Sequence, residues 1–94
     1  MLLTIDVGNT NTVLGIFDDT ELIKSWRVKT DPRDTADELW IRISNLIDGY
    51  IVDALAICST VPASLRELRT MVSMYFEEMP TTIVEPGVKT GVHL

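Results

Sequence analysis

Residues 6–12 of this chain concentrate polar groups between two short apolar runs. The first run is Met1-Leu2-Leu3-Thr4-Ile5, and the second is Val13-Leu14-Gly15-Ile16-Phe17. Runs of this length and composition are typical of strands, and the few residues between them predict a hairpin. A two-residue turn would be satisfied by Asn-Gly or Asp-Gly. The longer stretch therefore indicates a site as well as a turn; it reads Asp6-Val7-Gly8-Asn9-Thr10-Asn11-Thr12.

The polar groups of this stretch are those of an anion site that includes a metal. Gly8 has no Cβ, so the backbone can turn tightly there and come close to a ligand. Amide groups around such a turn can converge on phosphate oxygens, and the side chains of Thr10, Asn11 and Thr12 add donors. The Asp6 carboxylate would repel phosphate unless a cation lay between them. Because Mg²⁺ is commonly held by one or two carboxylates, water and substrate phosphates, the stretch predicts one half of a Mg-nucleotide site.

A second interpretation of the same residues needs no ligand. Asp and Asn side chains commonly bond to the backbone two residues further along, in Asx turns. Asp6 and Asn9 would then do no more than stabilise the turn. The heptapeptide by itself leaves both interpretations open.

Length and composition limit the classes of protein. The 94 residues make at most one small domain, and a content of 46% apolar and 23% charged residues is typical of a soluble globular protein. Eight basic and fourteen acidic residues give a net charge of −6, which disfavours nucleic acid because that affinity depends on neutralising phosphates. No run is long enough to span a membrane, and none resembles a signal peptide. We expect a cytoplasmic protein.

Cys58 and His93, the single cysteine and the single histidine, are weak candidates for chemistry. Cys58 cannot form an internal disulfide and lies in an apolar run, which favours a reduced compartment and a small core side chain. A catalytic thiolate would need a base nearby, and His93 is far along the chain. We expect His93 to be exposed.

The middle of the chain predicts a third strand and a helix. Residues 22–29 alternate in part and would extend the first two strands into an antiparallel meander. Thr35 and Glu38 form a capping box, and the apolar stripe after it predicts a helix that ends near Gly49. The stripe consists of Leu39, Ile43, Leu46, Ile47 and Tyr50. Trp40 lies beside the stripe, and we expect it to touch the core.

The second half of the chain predicts a strand and another helix. Residues 54–58 are apolar throughout, which is typical of a parallel strand buried on both faces. Pro62 is well placed for the first turn of a helix, and helical spacing continues until Pro80 stops it. We expect Met71 and Met74 to widen the apolar stripe of this helix.

A last strand at residues 81–84 precedes a turn at 85–87 and a tail without a clear pattern. The element order is thus β-β-β-α-β-α-β. Strands that alternate with helices pair in parallel through right-handed crossovers. The expected fold class is therefore α/β, a mixed five-stranded sheet with helices packed on it, in one domain that covers residues 1–94.

Three motifs resemble those of type III pantothenate kinases, a family that also includes Bvg accessory factors. The first is the Gly-Asn-Thr hairpin of residues 6–12. The other two are Ser59-Thr60-Val61-Pro62 after the fourth strand and Pro86-Gly87-Val88-Lys89-Thr90-Gly91 near the end. The resemblance covers the whole chain and implies a half-domain of the actin-like ATPase and sugar kinase superfamily, which has a ribonuclease H-like fold.

The resemblance implies ATP-dependent phosphorylation of pantothenate to 4'-phosphopantothenate, the first step of coenzyme A biosynthesis. Asp6 would bind Mg²⁺ directly or through water, and Gly8 to Thr12 would contact the β- and γ-phosphates. Such transfer depends mainly on positioning and charge neutralisation. The family also implies a monovalent cation, K⁺ or NH₄⁺, and a homodimer. The first phosphate loop would consist of Asp6, Val7, Gly8, Asn9, Thr10, Asn11, Thr12 and Val13.

The same resemblance implies that this chain is the N-terminal part of a longer protein. Family members are more than twice as long and hold the nucleotide between two lobes. A Gly-Ala-Asp-Arg segment with the general base and the pantothenate contacts would follow Leu94. We therefore assign no catalytic residue in this chain and expect no catalysis by it alone. A sheet face that the second lobe normally covers would be open.

Two alternatives keep the fold and change the function. One is a kinase for another small metabolite, because the residues that select the acceptor are absent from this chain. The other is a non-catalytic nucleotide-binding or regulatory module. A general-base Asp in the segment after Leu94 would indicate an enzyme, and its loss would indicate a binding module.

Overall fold

The computed structural model describes residues 1–84, which form five strands and two helices. The strands are β1 (Leu2–Val7), β2 (Asn11–Asp18), β3 (Glu21–Lys29), β4 (Ala54–Ser59) and β5 (Thr81–Val84), and the helices are α1 (Ala36–Leu46) and α2 (Pro62–Tyr75). One sheet contains all the strands in the order β3-β2-β1-β4-β5. β1 pairs antiparallel with β2 and parallel with β4. The predicted mixed five-stranded sheet is therefore confirmed.

One face of the sheet carries both helices and the hydrophobic core. Side chains alternate between the faces along a strand, and those of Leu3, Ile5 and Val7 in β1 are at most 3% exposed. The strand registers place four further buried side chains beside them, namely Leu14, Ile16, Leu55 and Ile57. The helices complete the same cluster with Ala36, Ile43, Leu65, Leu68 and Met71.

The opposite face carries no helix within residues 1–84. Ala54, Ala56 and Cys58 of β4 alternate with the buried residues and are only half-buried on this face. The prediction that β4 is buried on both faces is therefore wrong for the described residues, because both helices lie on the other side. For the same reason Cys58 is not a core residue. We call this surface the helix-free face.

α1 begins at the capping box that the sequence predicts. Thr35 Oγ1 accepts a hydrogen bond from the Glu38 N–H at 3.2 Å, and Glu38 Oε1 accepts one from the Thr35 N–H at 3.0 Å. Gly49, with φ of 92°, turns the chain after the helix. Trp40 packs against the core as expected and stacks on Tyr75 with 4.7 Å between the ring centroids.

α2 ends earlier than the sequence predicts. It stops at Tyr75 rather than continuing to Pro80. Glu78 adopts φ of 68°, which leaves the helical path, and residues before a proline disfavour helix. Met71 is fully buried as expected, but Met74 is 53% exposed, so its predicted packing role is wrong.

Some of the expectations fall outside the described residues. These are the turn at 85–87, the motif at 86–91 and the exposure of His93. Within residues 1–84, neither helix has the length and apolar character needed to cross a bilayer.

Candidate functional site

The polar stretch folds into a tight hairpin at the carboxyl end of β1. β1 runs to Val7 and β2 begins at Asn11, so part of the predicted turn belongs to the strands. The register pairs Val7 with Thr12 and Asp6 with Val13. Because neighbouring positions of a strand project to opposite faces, the residues that flank the hairpin are divided between the two faces of the sheet.

Gly8 begins the turn and donates its N–H to the Asn11 carbonyl oxygen at 2.9 Å. A Cβ at this position would lie 3.2 Å from that oxygen, closer than an ordinary van der Waals contact. The φ of Gly8 is not in the left-handed region, so glycine serves here by its small size. Close approach of a ligand to Gly8 stays a prediction.

Asp6 is exposed on the helix-free face, next to the end of β1. Its register neighbours are Val13 of β2 and Cys58 of β4. A shallow depression of about 390 Å³ extends from Asp6 across this face to Val84. Residues 1–84 contain no group of three or more His, Cys, Asp or Glu side chains that could enclose a metal. Asp6 therefore offers a single carboxylate rather than a full set of ligands.

Asn9, Thr10 and Asn11 form the exposed crest of the hairpin. Their side chains have no hydrogen-bond partner among the described residues. The backbone of the crest is restrained, however, because the Thr10 carbonyl accepts a hydrogen bond from the Thr30 N–H at 3.0 Å. The crest thus presents polar side chains to solvent on a fixed backbone.

Thr12 projects from the face of the sheet that carries the helices and is half-buried. Its hydroxyl and that of Thr30 hydrogen-bond each other at 2.8 Å. The sequence predicts that Thr12 donates to the same ligand as Asp6. In the structure the Thr12 hydroxyl is already bonded and lies behind the crest, and a direct contact with a ligand stays a prediction.

The segment after β4 lies beside the hairpin, because parallel strands end at the same edge of a sheet. Thr60 donates its N–H to the Val7 carbonyl at 3.1 Å. Ser59 is 1% exposed, and its hydroxyl bonds both the N–H and the carbonyl of Val61 at 3.0 Å. These bonds fix the start of α2 at Pro62. The positive end of the α2 dipole therefore lies at this edge.

The connection between β3 and α1 completes the edge. Asp31 Oδ1 accepts a hydrogen bond from the Arg33 N–H at 2.9 Å, which lowers the pKa of the Asp31 carboxyl below its ordinary value. Asp34 is 7% exposed, and its carboxylate pairs with the Arg42 guanidinium of α1. This pair attaches the connection to α1 at a point four residues after Thr30.

Two basic residues share the face of Asp6, and the sequence pattern does not point to them. Arg27 is paired with Val13 and Lys29 with Asn11, so both project from the helix-free face. The two-residue alternation of β3 predicts that Arg27 and Lys29 project from the same face, but which face this is depends on the register of β3 against β2. They add positive charge near the hairpin, which suits an anionic ligand.

Comparison with known proteins relates the whole chain to one family. A family model described as type III pantothenate kinase matches residues 2–94. The type III pantothenate kinase of Parafrankia sp. (strain EAN1pec) is 61% identical over 92 residues, which is 98% of this chain and 36% of that protein. The type III pantothenate kinase of Frankia alni is 58% identical over 92 residues, which is 98% of this chain and 37% of that protein. The chain thus spans little more than a third of the length of these relatives.

A solved structure supports the fold at a coarser level. RuvC of Thermus thermophilus, in complex with a Holliday junction substrate, has a TM-score of 0.61 and 20% identity, over 90% of this chain and 64% of its own. Likeness at such low identity indicates a shared fold and carries no function. The family model and the identities of 61% and 58% decide the relationship. This chain belongs to the type III pantothenate kinase family.

Proposed function

We propose that this chain is the ATP-phosphate-binding lobe of a pantothenate kinase. In the full-length protein, the γ-phosphate of ATP would pass to pantothenate and give 4'-phosphopantothenate, the first step of coenzyme A biosynthesis. We assign the fold, on the same proposal, to a ribonuclease H-like half-domain of the actin-like ATPase and sugar kinase superfamily. The observation that carries the proposal is the position of the Asp6 carboxylate beside an exposed, donor-rich crest, in a chain of this family.

The hairpin supplies the donors that phosphate oxygens require. The side chains of Asn9, Thr10 and Asn11 are exposed and have no partner within residues 1–84, and the backbone of residues 6–13 would form the first phosphate loop. The N-terminus of α2 contributes positive potential at the same edge. Arg27 and Lys29 add charge on the Asp6 face.

Asp6 is the proposed ligand for Mg²⁺. One carboxylate is too few to enclose a metal, and the described residues offer no ready-made group of ligands. Mg²⁺ keeps several waters and takes substrate phosphates as ligands, so a single exposed carboxylate fits a metal that arrives with ATP. Bound there, Mg²⁺ would neutralise charge on the phosphates, and Asp6 would hold it in place directly or through water.

The remaining parts of the proposed enzyme belong to the rest of the full-length protein. The general base, the pantothenate contacts and the K⁺ or NH₄⁺ site are proposed there, and the present chain is proposed to be inactive alone. The proposed partners are ATP, pantothenate and a second copy in a homodimer, in the cytoplasm and without a membrane partner. A net charge of −6 argues against nucleic acid.

The test is a phosphotransfer assay on the full-length protein that contains this chain. With radiolabelled ATP and Mg²⁺, we expect labelled 4'-phosphopantothenate, identified by mass spectrometry. Other small hydroxyl-bearing metabolites, supplied one at a time, serve as matched acceptors. Transfer to one of them but not to pantothenate would contradict the proposed substrate. Nucleotide binding without transfer to any acceptor would contradict the kinase and favour the non-catalytic module.

A further inference from the structure

Thr30 restrains the crest of the hairpin from outside it. Within the hairpin, the Gly8 N–H bonds the Asn11 carbonyl, and this bond closes the turn. The crest itself is exposed at Asn9 and Thr10. Thr30 directly follows β3, and its N–H donates a hydrogen bond to the Thr10 carbonyl at 3.0 Å. A residue twenty positions along the chain thus fixes the most exposed part of the turn.

The side chain of Thr30 makes a second bond to the same hairpin. Its hydroxyl lies 2.8 Å from that of Thr12, and both residues are half-buried. The pair borders a small cavity of about 20 Å³, room for about one water molecule, whose wall includes Leu14 and Val28. The lining also includes the polar side chains of Asp31, Asp34 and Arg42. The hydroxyl pair is partly buried, and hydrogen bonds are electrostatically stronger when they are partly removed from water.

Thr30 is in turn held by the connection to α1. The Asp31 carbonyl accepts a hydrogen bond from the Asp34 N–H at 3.1 Å. The nearly buried Asp34 carboxylate pairs with Arg42 of α1. The turn that directly follows Thr30 in the chain is thereby attached to a packed helix, and Thr30 itself bonds the hairpin.

We propose that Thr30 is a positioning residue for the nucleotide-phosphate loop. Its N–H fixes the Thr10 carbonyl and its hydroxyl fixes Thr12, so the backbone that carries the donors of the crest is held in one arrangement before a ligand arrives. Donors that are already ordered lose less conformational freedom on binding, which strengthens binding. This proposal rests on the proposed function of the hairpin and adds a role for a residue that does not touch the phosphates.

The test compares Thr30→Val with Thr30→Ser in the full-length protein. Valine keeps the shape and the backbone N–H but removes the hydroxyl, whereas serine keeps the hydroxyl. From the usual net value of one hydrogen bond, we expect Thr30→Val to raise both the KM for ATP and the Kd for Mg–AMPPNP by about three- to tenfold. The KM for pantothenate should stay unchanged, and Thr30→Ser should behave as wild type. Thr20→Val, in the exposed turn at the opposite end of β3, is the matched control.

Several outcomes would overturn this role. A lower melting temperature for Thr30→Val with an unchanged Kd for Mg–AMPPNP would mean that the hydroxyl pair serves the fold alone. Equal loss of affinity in Thr30→Ser and Thr30→Val would exclude the hydroxyl as the cause. The double variant Thr12→Val with Thr30→Val should lose less affinity than the sum of the two single variants, because both remove the same bond. Full additivity would contradict the proposal.

The same measurements separate this proposal from the proposed function. Wild-type protein that binds Mg–AMPPNP but transfers no phosphate would overturn the kinase, while the Kd values of the variants would still decide the role of Thr30. Wild-type protein that binds no nucleotide would overturn both.

Discussion

The Asp6 carboxylate and the Thr12 hydroxyl lie on opposite faces of the sheet, although both residues flank the same hairpin. Asp6 pairs with Val13 and is exposed on the helix-free face, whereas Thr12 pairs with Val7 and bonds Thr30 on the face that carries the helices. Adjacent rungs of a ladder project in opposite directions. The hairpin therefore has a solvent side and an anchored side, and substitutions on the two sides have different consequences.

Asp6→Asn tests the solvent side, because it removes the charge that would hold Mg²⁺ and keeps the size of the side chain. We expect the full-length protein to bind Mg–AMPPNP roughly 10- to 150-fold more weakly, which corresponds to about 1.5–3 kcal/mol for interactions of charged groups. Isothermal titration with and without Mg²⁺ measures this. Asp18→Asn, exposed at the far end of β2, should leave binding unchanged. Mg²⁺ dependence that persists in Asp6→Asn would place the metal elsewhere.

Two methionines of α2 provide a matched test of the core. Met71 is 0% exposed and Met74 is 53% exposed. Met71→Ala should lower the free energy of unfolding by about 2–5 kcal/mol, because it leaves a cavity. Met74→Ala should change it by no more than about 0.5 kcal/mol. Urea unfolding monitored by circular dichroism measures both, and similar losses in the two variants would contradict the orientation of the helix.

The pair of Asp34 and Arg42 should matter more than the other ion pair of the same connection. Arg42→Met leaves the Asp34 carboxylate nearly buried at 7% exposure without its partner. Because Arg42 is itself partly exposed, we expect a loss of about 1–3 kcal/mol in the free energy of unfolding. Arg33→Met removes a partner that is 91% exposed, and it should cost at most about 0.5 kcal/mol. Equal effects in thermal or urea unfolding would contradict this ranking.

Tyr75 should ionise at higher pH than an ordinary tyrosine. Its phenol donates a hydrogen bond to Asp37, which raises the pKa of Tyr75. The bond favours the protonated phenol of the folded state. Its contribution is therefore fully present below the ordinary tyrosine pKa and is lost as the pH rises through the folded-state pKa. Ultraviolet titration of tyrosinate absorbance measures the shift, with Tyr75→Phe assigning the signal.

Asp37→Asn is the complementary variant for that titration. The neutral amide removes the negative charge beside the phenol and accepts a weaker hydrogen bond, so the pKa of Tyr75 should move back towards its ordinary value. A pKa that stays fully raised in Asp37→Asn would assign the effect to desolvation of the phenol instead.

Local signals in the sequence predicted local structure well. The capping box of Thr35 and Glu38 and the turn at Gly49 depend on residues close in the chain, and both are confirmed. The exposure of Met74 was also within reach of the sequence. The buried stripe of α2 has Leu65 and Met71 at its two edges. At 3.6 residues per turn, Met74 lies about 120° around the helix axis from the centre of that stripe.

Features that depend on distant pairing could not be predicted in the same way. The apolar run at 54–58 looks the same whether one face or both faces of its strand are covered, so the exposure of Ala56 and Cys58 depends on where the helices pack. The same limit applies to Lys29 and Thr30. Their place beside the hairpin follows from the register of β3 against β2, which local pattern does not specify.

The central position of β1 has a consequence for the order of folding. The meander of β1, β2 and β3 forms through contacts that are close in the chain, but β1 also pairs with β4. Asp53, which precedes β4, accepts a hydrogen bond from the amino group of Met1, and the two residues are 52 positions apart in the chain. Closing so long a loop is slow compared with forming a hairpin. We therefore expect the contact between Val7 and Thr60 to form late, so that the pairing of β4 would govern the rate at which a binding-competent edge appears.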